Sequence, residues 1–230
     1  MKKLSAGTGI AAAAQVRNLP AGKVLLHLSV IYLVGLLGLS FPFSEPYFRL
    51  LVPFNILLSV LVVLVFHEGH SPKFWLFVLL ASHTGFLVEL AGITTGYIFG
   101  EYYYEGTLGV KLAGVPLLIG LNWFMLVYCA GTVMNGFAIH WIWKALMAAA
   151  LMVVYDLLLE PSAIRFDFWQ WKDDTIPLQN YFAWFGIAFF LLAVFYRMDI
   201  QKFNNQVAKG LFWIQLLFFG FLWATYKISP

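Results

Sequence analysis

Long apolar runs separated by short polar connections make up most of the chain. A run of roughly 17–23 residues allows a helix to cross the hydrocarbon core of a bilayer, which is about 30 Å thick. Seven such runs lie at about 24–41, 50–66, 73–96, 115–133, 138–160, 180–196 and 209–226. They lack the polar–apolar alternation of membrane β-strands. The pattern predicts an all-α, polytopic membrane bundle of about seven transmembrane helices. Residues 24–230 would form a single transmembrane domain, preceded by an N-terminal segment at 1–23.

The composition also indicates a lipid environment. Of the 230 residues, 62% are hydrophobic and only 11% are charged, and the mean hydropathy is +0.82. Soluble proteins carry about 25% charged residues, so an ordinary soluble domain is excluded. The single cysteine, Cys129, excludes an intramolecular disulfide. The net charge of +3 comes without a cluster of Lys and Arg, so nucleic acid is not expected as a partner.

The distribution of Lys and Arg predicts the orientation, because cytoplasmic loops carry an excess of positive charge. With the N-terminus inside, the cytoplasmic side holds nine such residues: Lys2, Lys3, Arg17, Lys23, Lys73, Lys144, Arg197, Lys202 and Lys209. The other side holds five: Arg49, Lys111, Arg165, Lys172 and Lys227. We therefore expect a multi-pass protein of the cytoplasmic (inner) membrane, with the segment 1–23 in the cytoplasm.

The two longest connections, 97–114 and 161–179, fall on the same side of a seven-helix bundle. We call this side the loop face. Both loops are aromatic and acidic, and together they hold Tyr97, Glu101, Tyr102, Tyr103, Tyr104, Glu105, Asp167, Trp169, Trp171, Asp173 and Asp174. A purely structural interpretation is open, with the aspartates paired to Arg165 and Lys172 and the aromatic rings forming an interfacial belt. Otherwise, the chemistry of the protein is expected at this face.

Three carboxylates lie within or at the end of apolar runs. Glu89 shares one helical stripe with Gly85, Gly92 and Gly96, and such small residues allow another helix to approach closely. Glu89 is sixteen residues beyond Lys73, and Asp156 is seventeen beyond Ile139, so both lie about 24–26 Å along their helices. Glu160 follows Asp156 by one turn, on the same side of its helix. A cavity open toward the loop face would collect all three side chains.

Charged groups in a bilayer are costly unless they are paired or functional. Each carboxylate, taken alone, could be a structural hydrogen-bond partner. The fragment His67-Glu68-Gly-His70 does not have the ligand spacing of a zinc or di-iron motif, so no metal site is predicted. In an apolar cavity a carboxylic acid can keep its proton at neutral pH and act as a general acid. Nearby aromatic faces can stabilise a cation. Together these groups suit proton-initiated chemistry on an apolar alkene.

Several stretches resemble the membrane-integral carotenoid biosynthesis proteins. The resemblance is carried by His83-Thr-Gly-Phe-Leu-Val-Glu89, by Gly92-Ile-Thr-Thr-Gly96-Tyr97, by Gly114-Val-Pro-Leu-Leu-Ile-Gly-Leu-Asn122-Trp123 and by Asp156 to Trp171. It spans most of residues 75–190. Within that family the chain is similar to the CruF-type carotenoid 1,2-hydratases, which include the bisanhydrobacterioruberin hydratases of halophilic archaea.

This resemblance implies a hydro-lyase that adds water across the terminal C1=C2 double bond of an acyclic (ψ) carotenoid end group and needs no cofactor. The substrate would be γ-carotene, lycopene or a C50 relative. A proton delivered to C2 would leave a tertiary cation at C1, which water then attacks. We expect Asp156 or Glu89 to be the acid, and the other carboxylate or Glu160 to be the base. The substrate-binding residues would be His83, Tyr97, Asn122, Trp123, Asp167, Trp169 and Trp171, with Asn122 or His83 positioning water.

Two other functions are compatible with the same residues. A membrane carotenoid cyclase would also protonate an end group but would finish by losing a proton instead of capturing water. A carotenoid-binding or transport protein would bind the pigment unchanged. In each case the expected partners are a lipophilic carotenoid, the lipid bilayer and other enzymes of the carotenoid pathway, together with water for the hydratase.

Overall fold

The computed structural model describes residues 19–172, 175–200 and 205–228. Most of the predicted N-terminal segment, together with Asp173 and Asp174, lies outside these ranges. The described helices are α1 (Ala21–Ser40), α2 (Glu45–Arg49), α3 (Val52–Val65), α4 (Pro72–Thr95), α5 (Leu117–Met134), α6 (Trp141–Arg165), α7 (Leu178–Arg197) and α8 (Gln206–Ile228). The described strands are β1 (Tyr102–Tyr104), β2 (Lys111–Leu112), β3 (Val115–Pro116) and β4 (Trp169–Trp171).

The prediction of an all-α polytopic bundle is confirmed. In the described part of the chain, 6 helices are long and apolar enough to cross a membrane, namely α1, α4, α5, α6, α7 and α8. The remaining apolar run forms α3, which has only 14 residues and a length of about 21 Å.

Helix α3 nevertheless connects the two faces of the bundle. Arg49, just before α3, forms an ion pair with Asp167 at the loop face. Near the other end of α3, the Asn205 side-chain amide donates to the Val63 carbonyl at 3.3 Å. Asn205 immediately precedes α8 at the opposite face. The short α3 therefore occupies the place of the second predicted span.

Helix α5 lies at the centre of the bundle. Of the 18 residues of α5, 78% are buried inside the protein. In the most apolar 18 residues of each of the other spanning helices, the buried share is 39% or less. Helix α4 packs along α5, and α7 packs along α6. This arrangement turns α4, α6 and α7, which carry the polar groups of the site, toward one central helix.

Two strands close the loop face. Strands β1 and β4 pair antiparallel, with Tyr102 opposite Trp171 and Tyr104 opposite Trp169. The pairing continues outward, because the Glu105 backbone N–H donates to the Phe168 carbonyl at 3.0 Å. The two long connections therefore lie on the same side, as predicted. Their central parts form a β-ribbon, where the sequence had indicated only loops.

Helix α6 extends further than predicted. The predicted apolar run ends at Glu160. The helix instead continues through Pro161 to Arg165. The buried residues Ser162 and Ala163 hold this last turn inside the protein, and the Phe166 N–H bonds to the Ser162 carbonyl at 2.9 Å. Glu160 is consequently fixed within a helix.

Candidate active site

Glu89 on α4 is held in a cage of three donors. Its Oε2 accepts hydrogen bonds from the hydroxyls of Tyr102 (2.5 Å) and Tyr104 (2.8 Å). Its Oε1 accepts from the indole N–H of Trp123 at 2.9 Å. The glutamate is only 5% exposed. Every oxygen of this buried carboxyl group therefore has a partner, which removes much of the penalty for burying it.

The glycine stripe of α4 makes room for these donors. A Cβ atom at Gly85 would lie 2.4 Å from the Cβ of Trp123, and one at Gly92 would lie 2.9 Å from the Tyr102 hydroxyl. Both distances are too short for a side chain. The stripe thus allows close approach, as the sequence predicted, and it seats Trp123 and Tyr102 over Glu89.

A second carboxyl group faces the cage from α6. Glu160 Oε2 accepts from the indole N–H groups of Trp169 (3.1 Å) and Trp171 (3.0 Å) on β4. Glu160 is 1% exposed. The ribbon therefore serves both acids: its tyrosines bind Glu89 from β1 and its tryptophans bind Glu160 from β4.

Asn180 on α7 connects Glu160 to the third acid. Its side-chain N–H₂ donates to Asp156 Oδ2 at 2.7 Å and to Glu160 Oε1 at 3.4 Å. Asp156 is completely buried, and its Oδ1 has no hydrogen-bond partner among the described residues. One amide thus holds two carboxyl groups that lie a single helical turn apart.

These groups surround a small cavity. Its wall is formed by Glu89, Phe99, Tyr102, Tyr104, Ile119, Asn122, Trp123, Leu159, Glu160, Trp169, Trp171, Asn180 and Trp184. The space open to a water-sized sphere is about 30 Å³, enough for one or two water molecules. We call it the carboxylate cavity.

The ribbon tyrosines remain neutral hydrogen-bond donors. Burial raises the pKa of Tyr102, and the negative charge of Glu89 raises it further. The same two causes raise the pKa of Tyr104. Both phenols therefore keep their protons throughout the physiological pH range and can donate to Glu89.

A larger apolar cavity of about 320 Å³ adjoins the carboxylate cavity. Ile119, Asn122, Leu159 and Trp169 line both. Its outer side is formed by lipid-exposed residues of α1, including Val30, which is 51% exposed. An apolar molecule could therefore reach the acids directly from the bilayer.

The structure brings together most of the predicted site residues. Glu89, Glu160, Asn122, Trp123, Trp169 and Trp171 line the carboxylate cavity, and Asp156 adjoins it through Asn180. Tyr102, Tyr104, Trp169 and Trp171 of the ribbon form the wall of the cavity on the side of the loop face.

Three predicted residues lie elsewhere. His83 is exposed on α4, where its Nδ1 contacts the Leu79 carbonyl of its own helix. Its position about 120° from Glu89 around the helix explains this placement. Tyr97 is 87% exposed, because it follows the end of α4 outside the ribbon. Asp167 pairs with Arg49, and not with Arg165 or Lys172, and so connects the first helical hairpin to the loop face.

Tyr102, Tyr104, Asn180 and Trp184 line the cavity but were not among the predicted site residues. The two tyrosines were placed at the loop face, where an interfacial belt was one open interpretation, and Asn180 and Trp184 were not singled out. Every second residue of a strand faces the same side, which places Tyr102 with Tyr104 and Trp169 with Trp171, but three residues are too few to predict a strand from the sequence. Trp184 stacks on Trp123 with 4.5 Å between ring centroids. No local signal in the sequence marks that contact.

The fragment His67-Glu68-Gly-His70 lies at the opposite face. His67 is buried, contacts the Tyr128 hydroxyl at 2.7 Å and stacks on Phe74. The described contacts of His67 are therefore with neighbouring side chains in the helix bundle at that face.

Comparison with known proteins identifies a matching family and a relative of known name. The family model described as "Carotenoid biosynthesis protein" matches residues 51–229. The bisanhydrobacterioruberin hydratase of Haloarcula japonica is 31% identical over 105 residues, which is 42% of this chain and 36% of that protein. The match thus spans only about a third of the relative's length. No solved structure matches the chain.

Proposed function

The chain belongs to the carotenoid biosynthesis protein family, and on that basis we propose that it is a cofactor-independent carotenoid hydratase. It would add water across the terminal C1=C2 double bond of an acyclic (ψ) end group of γ-carotene, lycopene or a C50 relative. The observation that carries this proposal is the pair of buried carboxyl groups, Glu89 and Glu160, facing one small cavity at the end of an apolar one. The hydratase activity of the Haloarcula japonica relative supports the reaction type.

The two cavities suit the two reactants. The polyene would lie in the apolar cavity with its terminal double bond beside Asn122, Leu159 and Trp169, which line both cavities, and water would occupy the carboxylate cavity. Transfer of an apolar chain from lipid to the apolar cavity changes its environment little. Binding would therefore depend on the fit of the end group.

We assign the acid to the Asp156–Glu160 pair. Two carboxyl groups bound to one amide repel each other when both are charged, and a proton held between them removes that repulsion. Of the two, Glu160 lines the cavity and Asp156 does not. Glu160 would transfer the proton to C2, and Asp156 would act through Asn180 as a positioning residue.

The resulting tertiary cation at C1 would be surrounded by aromatic rings. Trp123, Trp169, Trp171 and Trp184 all line the carboxylate cavity, and aromatic faces attract cations. Water in the cavity would attack C1 while Glu89 removes its proton, with Asn122 in reach of the same space. The net reaction consumes one water molecule, and proton exchange between the two glutamates and solvent restores the starting state.

Expression in a bacterium that produces lycopene or γ-carotene tests the activity. The expected pigment has a mass increased by one water molecule. A cyclised pigment of unchanged mass would identify a cyclase, and unchanged substrate would favour a binding or transport protein.

The carboxyl groups are tested in the same cells. Glu89→Gln, Asp156→Asn and Glu160→Gln should each reduce the hydrated pigment, at least about 100-fold for the two residues that transfer protons. Glu101→Gln is a matched control, since Glu101 is exposed and pairs with Lys172. Full product from a protein carrying both Glu89→Gln and Asp156→Asn would refute the mechanism.

A further inference from the structure

A second polar cluster lies in the wall of the apolar cavity, away from the three acids. Its members are Tyr32 on α1, Asn55 and Ser59 on α3, and Gln215 on α8. The Gln215 amide donates to the Tyr32 hydroxyl at 2.7 Å, and this hydroxyl lies 2.9 Å from Ser59 Oγ. Tyr32, Asn55 and Gln215 line the cavity. The proposed reaction does not use this cluster.

Two hydrogen-bond acceptors of the cluster lack a donor among the described residues. Gln215 is 4% exposed. Neither its Oε1 nor the Oδ1 of Asn55 has a hydrogen-bond partner among the described residues. A buried acceptor without a donor is unfavourable by about 1–3 kcal/mol. Two such acceptors in one wall of an otherwise apolar cavity indicate a ligand that supplies a donor there.

The cluster lies deeper in the membrane than the acids. Gln215 is nine residues from the start of α8, and Tyr32 is eleven residues from the start of α1. Their depth from the face opposite the loops is therefore about 14–17 Å, against about 25–28 Å for Glu89 and Glu160. The two polar sites thus differ in depth by roughly 10 Å. The apolar cavity includes the cluster and adjoins the carboxylate cavity, so a ligand in it can extend from one toward the other.

We propose that Gln215, Asn55 and Tyr32 form a subsite that binds the hydroxyl group of a hydroxylated carotenoid. This rests on the proposed function, and it adds a substrate feature: the apolar cavity would take hydroxylated end groups as well as hydrocarbon ones. A tertiary alcohol formed at the acids could move into this subsite, and a molecule already hydrated at one end could be held there.

A hydroxyl group fits the cluster better than other polar groups. It can both donate and accept a hydrogen bond. A hydroxyl group can therefore bind the Gln215 amide whether the C=O or the N–H₂ of that amide faces the cavity. A carbonyl or ether oxygen can bind only the N–H₂. A charged group is excluded by the apolar character of the remaining wall.

Binding by the purified full chain in detergent tests this subsite. The probes are lycopene and its 1-hydroxy-1,2-dihydro derivative, and the readout is quenching of tryptophan fluorescence. The wild-type protein should bind the alcohol roughly three- to tenfold more tightly than the hydrocarbon, as expected for one net hydrogen bond. Gln215→Met and Asn55→Leu, tested singly and together, should remove this preference, whereas lycopene should still bind.

Gln206→Met is the matched control, because Gln206 lies on the same helix and is exposed. It should keep the full preference for the alcohol. Lycopene binding by each variant shows that the cavity is intact. Equal affinity of the wild-type protein for both probes, or a preference that survives in the double variant, would overturn the proposal and leave water as the partner of these amides. To keep this outcome independent of the hydration assay, every protein compared, including the one with the unchanged cluster, also carries Glu89→Gln, which prevents conversion of lycopene during the measurement.

Discussion

Tyr102 and Tyr104 donate hydrogen bonds to the same oxygen of Glu89. Each bond requires the phenol to keep its proton, so protonation of both phenols stabilises the folded protein. The pKa of both groups is raised by burial and by Glu89, whereas in the unfolded chain it is about 10. A raised pKa in the folded state means that folding favours the protonated phenol. The stabilisation is fully present below about pH 10 and is lost as the pH rises above it.

Thermal unfolding in detergent should therefore show an alkaline loss of stability to which these phenols contribute. We expect the double variant Tyr102→Phe/Tyr104→Phe to be less stable at about pH 8 and to lose less stability between about pH 9 and pH 11. Tyr103→Phe is the control, because Tyr103 lies between them on β1 but is 54% exposed. An alkaline loss equal in the double variant and the wild-type protein would contradict this assignment.

At the scale of single residues, charge was the readable signal. Glu89, Asp156 and Glu160 stand out because a carboxylate inside an apolar run needs an explanation. Asn180 was not noticed, since an amide near the start of a membrane helix is common. His83 and Tyr97 were predicted to bind substrate, and neither lines the carboxylate cavity. A residue that is close to Glu89 in the sequence can still point to a different side of the helix, as His83 does.

At the scale of elements, the approach of α5 to α4 decides whether the site forms. Gly85→Ala would place a methyl group 2.4 Å from the Cβ of Trp123, so the two helices must separate. We expect a loss of about 1–3 kcal/mol in stability, together with reduced hydration because the Trp123 indole moves away from Glu89. Thermal unfolding and pigment analysis of the same variant measure the two effects.

Gly186→Ala provides the comparison for that experiment. Gly186 lies in α7, and a Cβ there would meet no atom within 4 Å. This substitution should leave both stability and product unchanged or slightly improved, since alanine favours the helix. If Gly85→Ala behaved in the same way, the close packing of α4 on α5 would not matter for the site.

The elements also show where prediction from sequence ends. Apolar length located each spanning helix to within a few residues. The ribbon was missed because strands of three residues carry too little pattern beside long apolar runs, although the two loops that form it were placed together. Helix α6 was ended too early, because the apolar run stops at Glu160, whereas burial of Ser162 and Ala163 extends the helix to Arg165.

At the scale of the whole molecule, the two faces differ in charge and in chemistry. Lys23, Lys73, Lys144, Arg197 and Lys209 lie near the face opposite the loops, whereas Arg49, Lys111, Arg165 and Lys172 lie at the loop face. The sequence predicts nine Lys and Arg residues on the side opposite the loops against five on the loop side, an excess typical of a cytoplasmic surface. We therefore expect the loop face, with its ribbon over the acids, to lie on the outer side of the cytoplasmic membrane.

Cysteine labelling in intact cells tests this orientation, because the single native cysteine, Cys129, is 0% exposed and gives little background. Val110→Cys lies at the loop face, where Val110 is 77% exposed. Lys73→Cys lies in the first turn of α4 at the opposite face. A membrane-impermeant maleimide should label Val110→Cys in intact cells and Lys73→Cys only after permeabilisation. The reverse pattern would place the ribbon in the cytoplasm, and water and protons would then reach the acids from that side.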